Sequence, residues 1–464
     1  MYTKSEWRVM PIALLIILTI TFIFWIWLKN KSQKIKDIPF FIVALLLLLG
    51  EVAKQCVGLL DKDGYDTWWI PLHFCSTYFV WFSFAEFSRG KMRRAMQSIA
   101  FTATTYVVVG MYAMPRSILA SACDYIFLDF LTNEYKFPSV SGLCDIVAHS
   151  VAPVDFSSIK GVVQISHGMA EYSNRYSKII TALCNAGYAV FINDHVGHGL
   201  SVDSKEMLGF FGEENGEETF IDDLKTLTDM AKAEYPGLPI FMLGHGMGSL
   251  IARKYTAKYG YLLDGVIYTG TSGENPALGV GILLANVLIK QNGPKHRSDI
   301  LDTIAFGTYN RKTEKRTDRD WSTRDPEEVE KILTDELCGY TYTVSGMKVL
   351  FTILKQVTSK RWYNTIPPSM PILLASGDKD PVGDYSKGVK EVCRMLKKTG
   401  HKNVTMKIYE GARHEILNET NRDEVYSDII SWLDTETEKH QQEAIKNIVV
   451  ESIDDIQLLE NSEE

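Results

Sequence analysis

The chain has 464 residues with 49 basic and 57 acidic side chains, which gives a formal net charge of −8. This length exceeds one ordinary domain, and the acidic balance argues against a nucleic-acid partner. The seven cysteines are widely spaced and form no CxxC pair, so the sequence supports neither a zinc site nor a disulfide scaffold.

The N-terminal part of the chain is densely apolar and predicts a multi-pass helical membrane domain over residues 1–131. Residues 10–28 carry no charge and have the length needed to cross a bilayer. Further apolar segments follow at about 38–60, 69–87 and 95–114. A signal peptide is the competing interpretation of the first segment, but more apolar segments follow and no small-residue cleavage site is evident.

Basic residues between these segments predict the orientation. The loops after the first and third segments are rich in lysine and arginine, which places both in the cytoplasm. Four spans then put the rest of the chain outside the cell. A fifth span over 118–131, which is short and carries Asp124 and Asp129, puts it in the cytoplasm. We favour four spans and leave the alternative open.

Polar side chains within predicted spans need an explanation. Glu51 and Lys54 are three residues apart and can pair on one helix face. His73 and Cys75 offer either an activated thiol or a polar packing pair. The stretches EVAKQ (51–55) and PLHFC (71–75) resemble the YwaF-like family of small bacterial integral membrane proteins. The resemblance covers about the first quarter of the chain and implies part of such a bundle.

From about residue 132 the pattern predicts an α/β fold, with a mostly parallel sheet and helices on both faces. Six short apolar runs predict buried strands: Gly161–Ser166, Ala189–Asn193, Pro239–Leu243, Gly265–Thr269, Pro371–Ala375 and Val404–Tyr409. The interval 276–366 is too long for a plain connection and predicts an inserted cap. Its apolar opening could line an acyl-chain tunnel, touch lipid or fill the cap core. Residues 435–464 form an acidic tail, either an amphipathic helix or disordered.

Five motifs follow the ends of predicted strands: HGMAE (167–171), DHVGHG (194–199), GHGMG (244–248), GDKDPVG (377–383) and GARH (411–414). A nucleophile elbow, then an acid, then a histidine is the α/β-hydrolase order. Small residues let the elbow strand and helix pack closely, and the helix N-terminus favours an oxyanion. The histidine takes the nucleophile's proton, and the carboxylate fixes the histidine tautomer.

Together these motifs resemble the monoacylglycerol lipase and lysophospholipase family of serine-aminopeptidase-like hydrolases, over about residues 132–434. The resemblance implies an α/β-hydrolase fold, a lipid or acyl-ester ligand and hydrolysis through an acyl-serine. It implies Asp380 as the triad acid and His414 as the base. It implies the backbone N–H groups of Met169 and Met247 as the oxyanion hole. It implies no metal or organic cofactor.

The nucleophile position departs from the family. Gly246 stands where the family has serine, so the acyl intermediate cannot form, although glycine tolerates the elbow backbone. Tyr172 and Val196 stand where the family usually has histidine and arginine, which fits a relaxed demand on catalysis. Ser249 lies one helical turn on, about 5 Å away, and is a poor substitute.

Other interpretations of the elbow stay open. A water activated by Asp380 and His414 could give slow turnover, and the glycines of GHGMG imitate a phosphate-binding loop. Three functions therefore compete: a membrane-tethered lipid esterase of impaired activity, a non-catalytic lipid-binding or scaffold protein, and thiol chemistry at His73 and Cys75. We expect the chain to be related to the lipid esterases of the first alternative and to act as the non-catalytic protein of the second. The sequence does not give the oligomeric state.

Overall fold

The computed structural model describes residues 130–460. The predicted membrane spans, the Glu51–Lys54 pair and the His73–Cys75 pair lie outside these residues. Within the described range, none of the helices is both long enough and apolar enough to cross a membrane.

One eight-stranded sheet forms the centre of the described residues. Its strands are β1 (Phe130–Pro138), β2 (Asp145–Pro153), β3 (Gly161–Ser166), β4 (Tyr188–Asn193), β5 (Ile240–His245), β6 (Gly265–Thr269), β7 (Ile372–Gly377) and β8 (Val404–Tyr409). Their order is β1-β2-β4-β3-β5-β6-β7-β8. The pairs β1–β2 and β2–β4 are antiparallel, and the other five pairs are parallel. This confirms the predicted mostly parallel sheet.

The six predicted strands are β3 to β8, with bounds that differ by at most two residues at either end. The antiparallel strands β1 and β2 were not predicted. Most of β1 is exposed, and its sequence FLTNEYKFP lacks a continuous apolar run. It begins two residues inside the predicted membrane domain 1–131.

Ten helices accompany the sheet in the described part of the chain: α1 (Ser177–Asn185), α2 (Gly216–Glu234), α3 (Met247–Tyr259), α4 (Leu278–Asn292), α5 (Asp299–Phe306), α6 (Pro326–Thr334), α7 (Val344–Val357), α8 (Lys360–Thr365), α9 (Lys387–Lys398) and α10 (Arg422–Glu460). Helices α4 to α8 lie between β6 and β7, within the interval predicted as a cap. Helix α10 continues past residue 434, where the acidic tail was predicted to begin.

Two hydrophobic clusters cover the two faces of the sheet. Successive residues of a strand point to opposite faces, so Val162 and Val163 of β3 enter different clusters. One cluster contains residues of α2, α3, α7 and α9. The other contains residues of α1 and the first turns of α10. Burial on both faces explains why β3 to β7 are continuous apolar runs. Strand β8 was also predicted to be buried, but it lies at the sheet edge and only its first and last residues are buried.

The topology brings the predicted motifs to one edge. From β3 the chain passes to β4 on one side and then to β5 on the other, so the strand order reverses at β3. Loops that leave neighbouring parallel strands in opposite directions open a crevice at their carboxyl ends. The motifs that follow β3, β5, β7 and β8 therefore surround this crevice.

Candidate active site

The turn between β5 and α3 has the backbone of a nucleophile elbow. Gly246 has φ 53° and ψ −118°, a conformation that side chains disfavour. Its neighbours are constrained by space. A Cβ atom on Gly248 would lie 2.0 Å from the carbonyl oxygen of Ser166, and one on Gly244 would lie 2.4 Å from that of Gly248. The glycines on either side of the elbow therefore permit the close packing of strand and helix.

The predicted acid and base lie in contact. Nδ1 of His414 is 3.1 Å from each carboxylate oxygen of Asp380. Asp380 is fully buried, and its carboxylate accepts hydrogen bonds from the Val382 N–H at 2.8 Å and the Ser376 hydroxyl at 3.4 Å. A carboxylate next to Nδ1 fixes the tautomer of His414, so Nε2 is available to interact with a ligand or nucleophile at the elbow.

The structure also brings Gly246 to this pair. A Cβ atom added at Gly246 would lie 2.9 Å from Nε2 of His414, which is closer than real Cβ atoms approach a neighbour. The imidazole thus lies slightly nearer the elbow than a serine would allow. Every predicted catalytic position is adjacent to the next, with the nucleophile's side chain missing.

The electrostatics of the pair favour a charged imidazole. Burial would lower the pKa of His414, but the charge and hydrogen bonds of Asp380, with the charges of Glu415 and Glu171, outweigh burial and raise it above the usual histidine value. The neighbouring His245 ring, 4.8 Å away between centroids, behaves in the opposite way. Burial first, then repulsion from His414 and Arg175, holds the pKa of His245 well below its usual value, so this ring stays neutral.

The predicted oxyanion hole has two available backbone donors. Met169 and Met247 both line the cavity that contains Gly246 and His414. Met247 is the first residue of α3, whose opening N–H groups lack acceptors within the helix. Within residues 130–460, neither amide donates a hydrogen bond to a protein acceptor. An oxyanion or carbonyl oxygen at the elbow can therefore receive both.

The cavity next to the elbow has a volume of about 250 Å³ and a largely apolar wall. Most of the lining residues lie in the interval 276–366, and they include residues of α4, α5 and α7. The apolar residues of the wall include Leu250, Leu278, Leu284, Phe306, Leu350 and Leu354. The lining by α4 agrees with the interpretation of the apolar segment 277–289 as part of a tunnel wall. Leu283 and Val287 of the same helix are exposed and do not line the cavity, so α4 also presents an apolar outer face.

The sequence departures near the elbow have structural explanations. The Tyr172 hydroxyl donates to Asp335 at 3.0 Å, so this side chain joins the loop after β3 to the cap. Val196 is buried in the core. Ser249 is fully buried, and its hydroxyl donates to the Gly246 carbonyl at 2.6 Å. Its proton is thus engaged by the backbone and not by His414.

A buried ionic cluster at one end of the cavity was not predicted. Arg175 contacts Glu328 at 3.1 Å, Glu171 at 3.7 Å and Glu415, and all four side chains are almost fully buried. We call these four residues the Arg175 cluster. Burial and repulsion from Glu415 raise the pKa of Glu171 to about 7, against the opposing charge of Arg175. Glu328 belongs to cap helix α6, so the cluster links the cap to the motifs after β3 and β8.

The Arg175 cluster could not be read from spacing, because Glu328 lies 153 residues from Arg175 and Glu415 lies 240 residues from it. The available signal was a carboxylate within HGMAE and another directly after His414. The described residues hold no group of three or more histidine, cysteine or acidic side chains arranged for a metal ion.

Comparisons with known proteins agree with this geometry. The family model described as serine aminopeptidase S33 matches residues 157–421, more than half of the chain. A monoacylglycerol lipase of Mycolicibacterium smegmatis is 28% identical over 301 residues, which cover 65% of this chain and 96% of that protein. The monoglyceride lipase of Homo sapiens is 29% identical over 284 residues, which cover 60% and 84%.

A similar solved structure is a thermostable carboxyl esterase from Bacillus coagulans in complex with glycerol. It shares 33% identity at a TM-score of 0.62, and the match covers 66% of this chain and 99% of that one. A structure described as the open form of a lipase shares 29% identity at a TM-score of 0.60. The chain therefore belongs to the serine aminopeptidase S33 family of α/β-hydrolases, with monoacylglycerol lipases among its relatives.

Proposed function

We propose that the hydrolase domain binds a single-chain lipid of the monoacylglycerol or lysophospholipid type without turning it over through an acyl-enzyme. One observation carries the proposal. The Asp380–His414 pair, the two oxyanion amides and the apolar cavity surround an elbow whose central residue has no side chain.

The ligand class follows from the cavity and from the relatives. An acyl chain removes apolar surface from water when it enters a cavity lined by leucine and phenylalanine side chains. Relatives of this chain carry the name monoacylglycerol lipase, and the similar esterase structure contains glycerol. A glycerol monoester or a lysophospholipid combines both parts.

The absence of covalent turnover follows from chemistry. An acyl-enzyme needs an oxygen or sulfur nucleophile on the elbow, and glycine offers neither. Ser249 cannot replace it, because its hydroxyl donates to the Gly246 carbonyl.

An activity-based fluorophosphonate probe tests the proposal, since it labels only an activated serine. We expect no labelling of the native chain and clear labelling of Gly246→Ser, once the imidazole shifts slightly to admit the new Cβ atom. The double variant Gly246→Ser/His414→Ala is the matched control and should stay unlabelled. Labelling of the native chain would overturn the non-catalytic proposal, and an unlabelled Gly246→Ser variant would contradict a formed site.

Slow hydrolysis by an activated water is the second candidate. The contact of His414 with Asp380 and the two free amides favour it, because the neutral imidazole can accept a proton from water at Nε2. Enzymes of this type that lose a triad member retain roughly a thousandfold rate enhancement over water. Release of glycerol from a monoacylglycerol at that level by the native chain, and its loss in His414→Ala, would establish this candidate.

We further propose that the N-terminal segments tether the domain to the cell membrane, with four spans and the hydrolase domain outside. The support is the run of uncharged segments and the basic loops after the first and third. A reporter fused after Glu464 tests the side, because an alkaline phosphatase reporter is active only outside the cytoplasm. Cytoplasmic location of the reporter would require the fifth span. Cys75→Ala should leave lipid binding unchanged, and a changed affinity would favour a role for the His73–Cys75 pair.

A further inference from the structure

The missing side chain leaves space directly against the base. A Cβ atom at Gly246 would lie 2.9 Å from Nε2 of His414, 3.4 Å from its Cε1 and 3.9 Å from the Cα of Gly168. In a serine hydrolase the Cβ and Oγ atoms fill this position. Here it is open to the cavity, at the N-terminus of α3.

Three hydrogen-bond donors belong to residues that line the cavity around that space. His414 is 8% exposed, its Nδ1 is taken by Asp380, and within residues 130–460 its Nε2 has no hydrogen-bond partner. The backbone N–H groups of Met169 and Met247 also lack acceptors in the same range. The residues around this largely apolar cavity thus offer three donors, one of them on a ring that can carry positive charge.

We propose that this elbow is a receptor site for the carboxylate of a free fatty acid, with one carboxylate oxygen on Nε2 of His414 and the other on the Met169 and Met247 amides. The inference rests on the proposed lipid-binding function and refines its ligand: among single-chain lipids, the free acid binds in preference to the glycerol monoester or the lysophospholipid. A carboxylate supplies two acceptor oxygens and a full charge, and charge-assisted hydrogen bonds are about twice as strong as neutral ones. A neutral ester has one good acceptor, its carbonyl oxygen, and leaves the other donors poorly satisfied. The ligand is then the fatty acid that hydrolysis of such an ester would release. This domain binds that acid but does not produce it.

The charged groups around His414 determine the pH dependence. Asp380, Glu171 and Glu415 all favour its protonated form, while His245 stays neutral beside it. The two glutamates are engaged elsewhere. Gly168 N–H and the Tyr176 hydroxyl donate to Glu171, each at 2.6 Å.

Glu415 is held in the same way, by Arg175 and by the side-chain amide of Asn418 at 3.0 Å. Binding of an anion should therefore be strongest between the pKa of the free acid, about 4 to 5, and the raised pKa of His414, and should weaken as pH rises further.

Calorimetry on the full-length chain in detergent can test this with octanoate, 1-octanoylglycerol and octanesulfonate. At pH 6 we expect octanoate to bind about tenfold more tightly than the glyceride, the effect of one charge-assisted hydrogen bond. Octanesulfonate stays ionised throughout, so a loss of its affinity between pH 6 and pH 9 reports on the protein, through deprotonation of His414 and ionisation of Glu171. The glyceride should show no such loss.

Two variants sharpen the test. His414→Gln should make the affinities for octanoate and the glyceride nearly equal. It should also reduce the loss of octanesulfonate affinity between pH 6 and pH 9, and the part of the loss that it removes reports on His414. His149→Gln is the matched control, because His149 lies on β2 and does not line the cavity. This variant should keep the preference for octanoate and the pH dependence of octanesulfonate binding. The carboxylate site would be overturned if the glyceride bound as tightly as octanoate or more tightly, or if anion affinity did not change with pH. Either result would leave the proposed lipid binding standing. If neither ligand bound, both proposals would fail, and release of octanoate from the glyceride would overturn the non-catalytic role.

Discussion

At the scale of single residues, the glycines of the elbow occupy their positions for different physical reasons. Gly246 has a positive φ and faces a cavity, whereas Gly248 has a backbone carbonyl where its side chain would be. A substitution at Gly246 therefore changes the cavity next to His414, whereas a substitution at Gly248 disturbs the packing of the fold. Loss of the serine therefore does not require loss of the elbow, because the close packing of β5 and α3 depends on neighbouring positions.

Gly248→Ala should destabilise the domain. Its new Cβ atom would lie 2.0 Å from the Ser166 carbonyl, so α3 must move away from β3, and overpacking of this kind costs about 1–3 kcal/mol or more. Thermal unfolding followed by circular dichroism should show a midpoint lowered by several degrees. Gly279→Ala is the matched control, since nothing lies within 4 Å of its Cβ position and its backbone is helical. An unchanged midpoint for Gly248→Ala would contradict the close contact.

At the scale of elements, the cap is attached by polar contacts as well as by apolar packing. Tyr172 reaches Asp335, and Arg175 reaches Glu328, from one loop after β3. A buried cluster with three carboxylates and one guanidinium is costly unless all members are paired, so it fixes the position of the cap. The same cluster makes stability depend on pH.

Glu171→Gln should reveal that dependence. The pKa of Glu171 is about 7 in the folded protein against 4.5 in the unfolded chain. A raised folded pKa gives a stabilisation that is fully present below 4.5 and is lost as pH rises through about 7. The free energy of unfolding of Glu171→Gln, relative to the native chain, should therefore increase from pH 5 to pH 8. Exposed Glu330→Gln is the control and should show no such trend. A flat difference for Glu171→Gln would show that the carboxyl is charged throughout.

The sequence predicted some elements much better than others, for physical reasons. Strands β3 to β7 are buried on both faces and so have continuous apolar runs, whereas β1 is an exposed edge strand without a detectable pattern. Asp380 and His414 were predicted because short motifs fix their positions after strands. The Arg175 cluster was not, because its contacts join residues 153 and 240 positions apart.

At the scale of the whole molecule, the chain divides into two units, Met1–Leu128 and Asp129–Glu464, and the described residues all belong to the second. The sheet, both hydrophobic clusters and the candidate site belong to the second unit. Its first strand begins at Phe130, directly after the division, and pairs along its full length with β2. The second unit therefore contains the whole eight-stranded sheet and the helices that cover both of its faces.

A fragment that begins at Asp129 should fold alone, with an unfolding midpoint close to that of the domain in the full chain and the same fluorophosphonate labelling after Gly246→Ser. A fragment that begins at Ser139 lacks β1 and exposes the edge of β2, which is more apolar than β1 and includes buried Ile146 and Val151. Because an uncovered apolar edge strand pairs with other chains, we expect the shorter fragment to aggregate. Size-exclusion chromatography and circular dichroism distinguish the two. Aggregation of both fragments would show that the domain depends on the preceding segments, and a stable monomer from the shorter one would show that β1 contributes little.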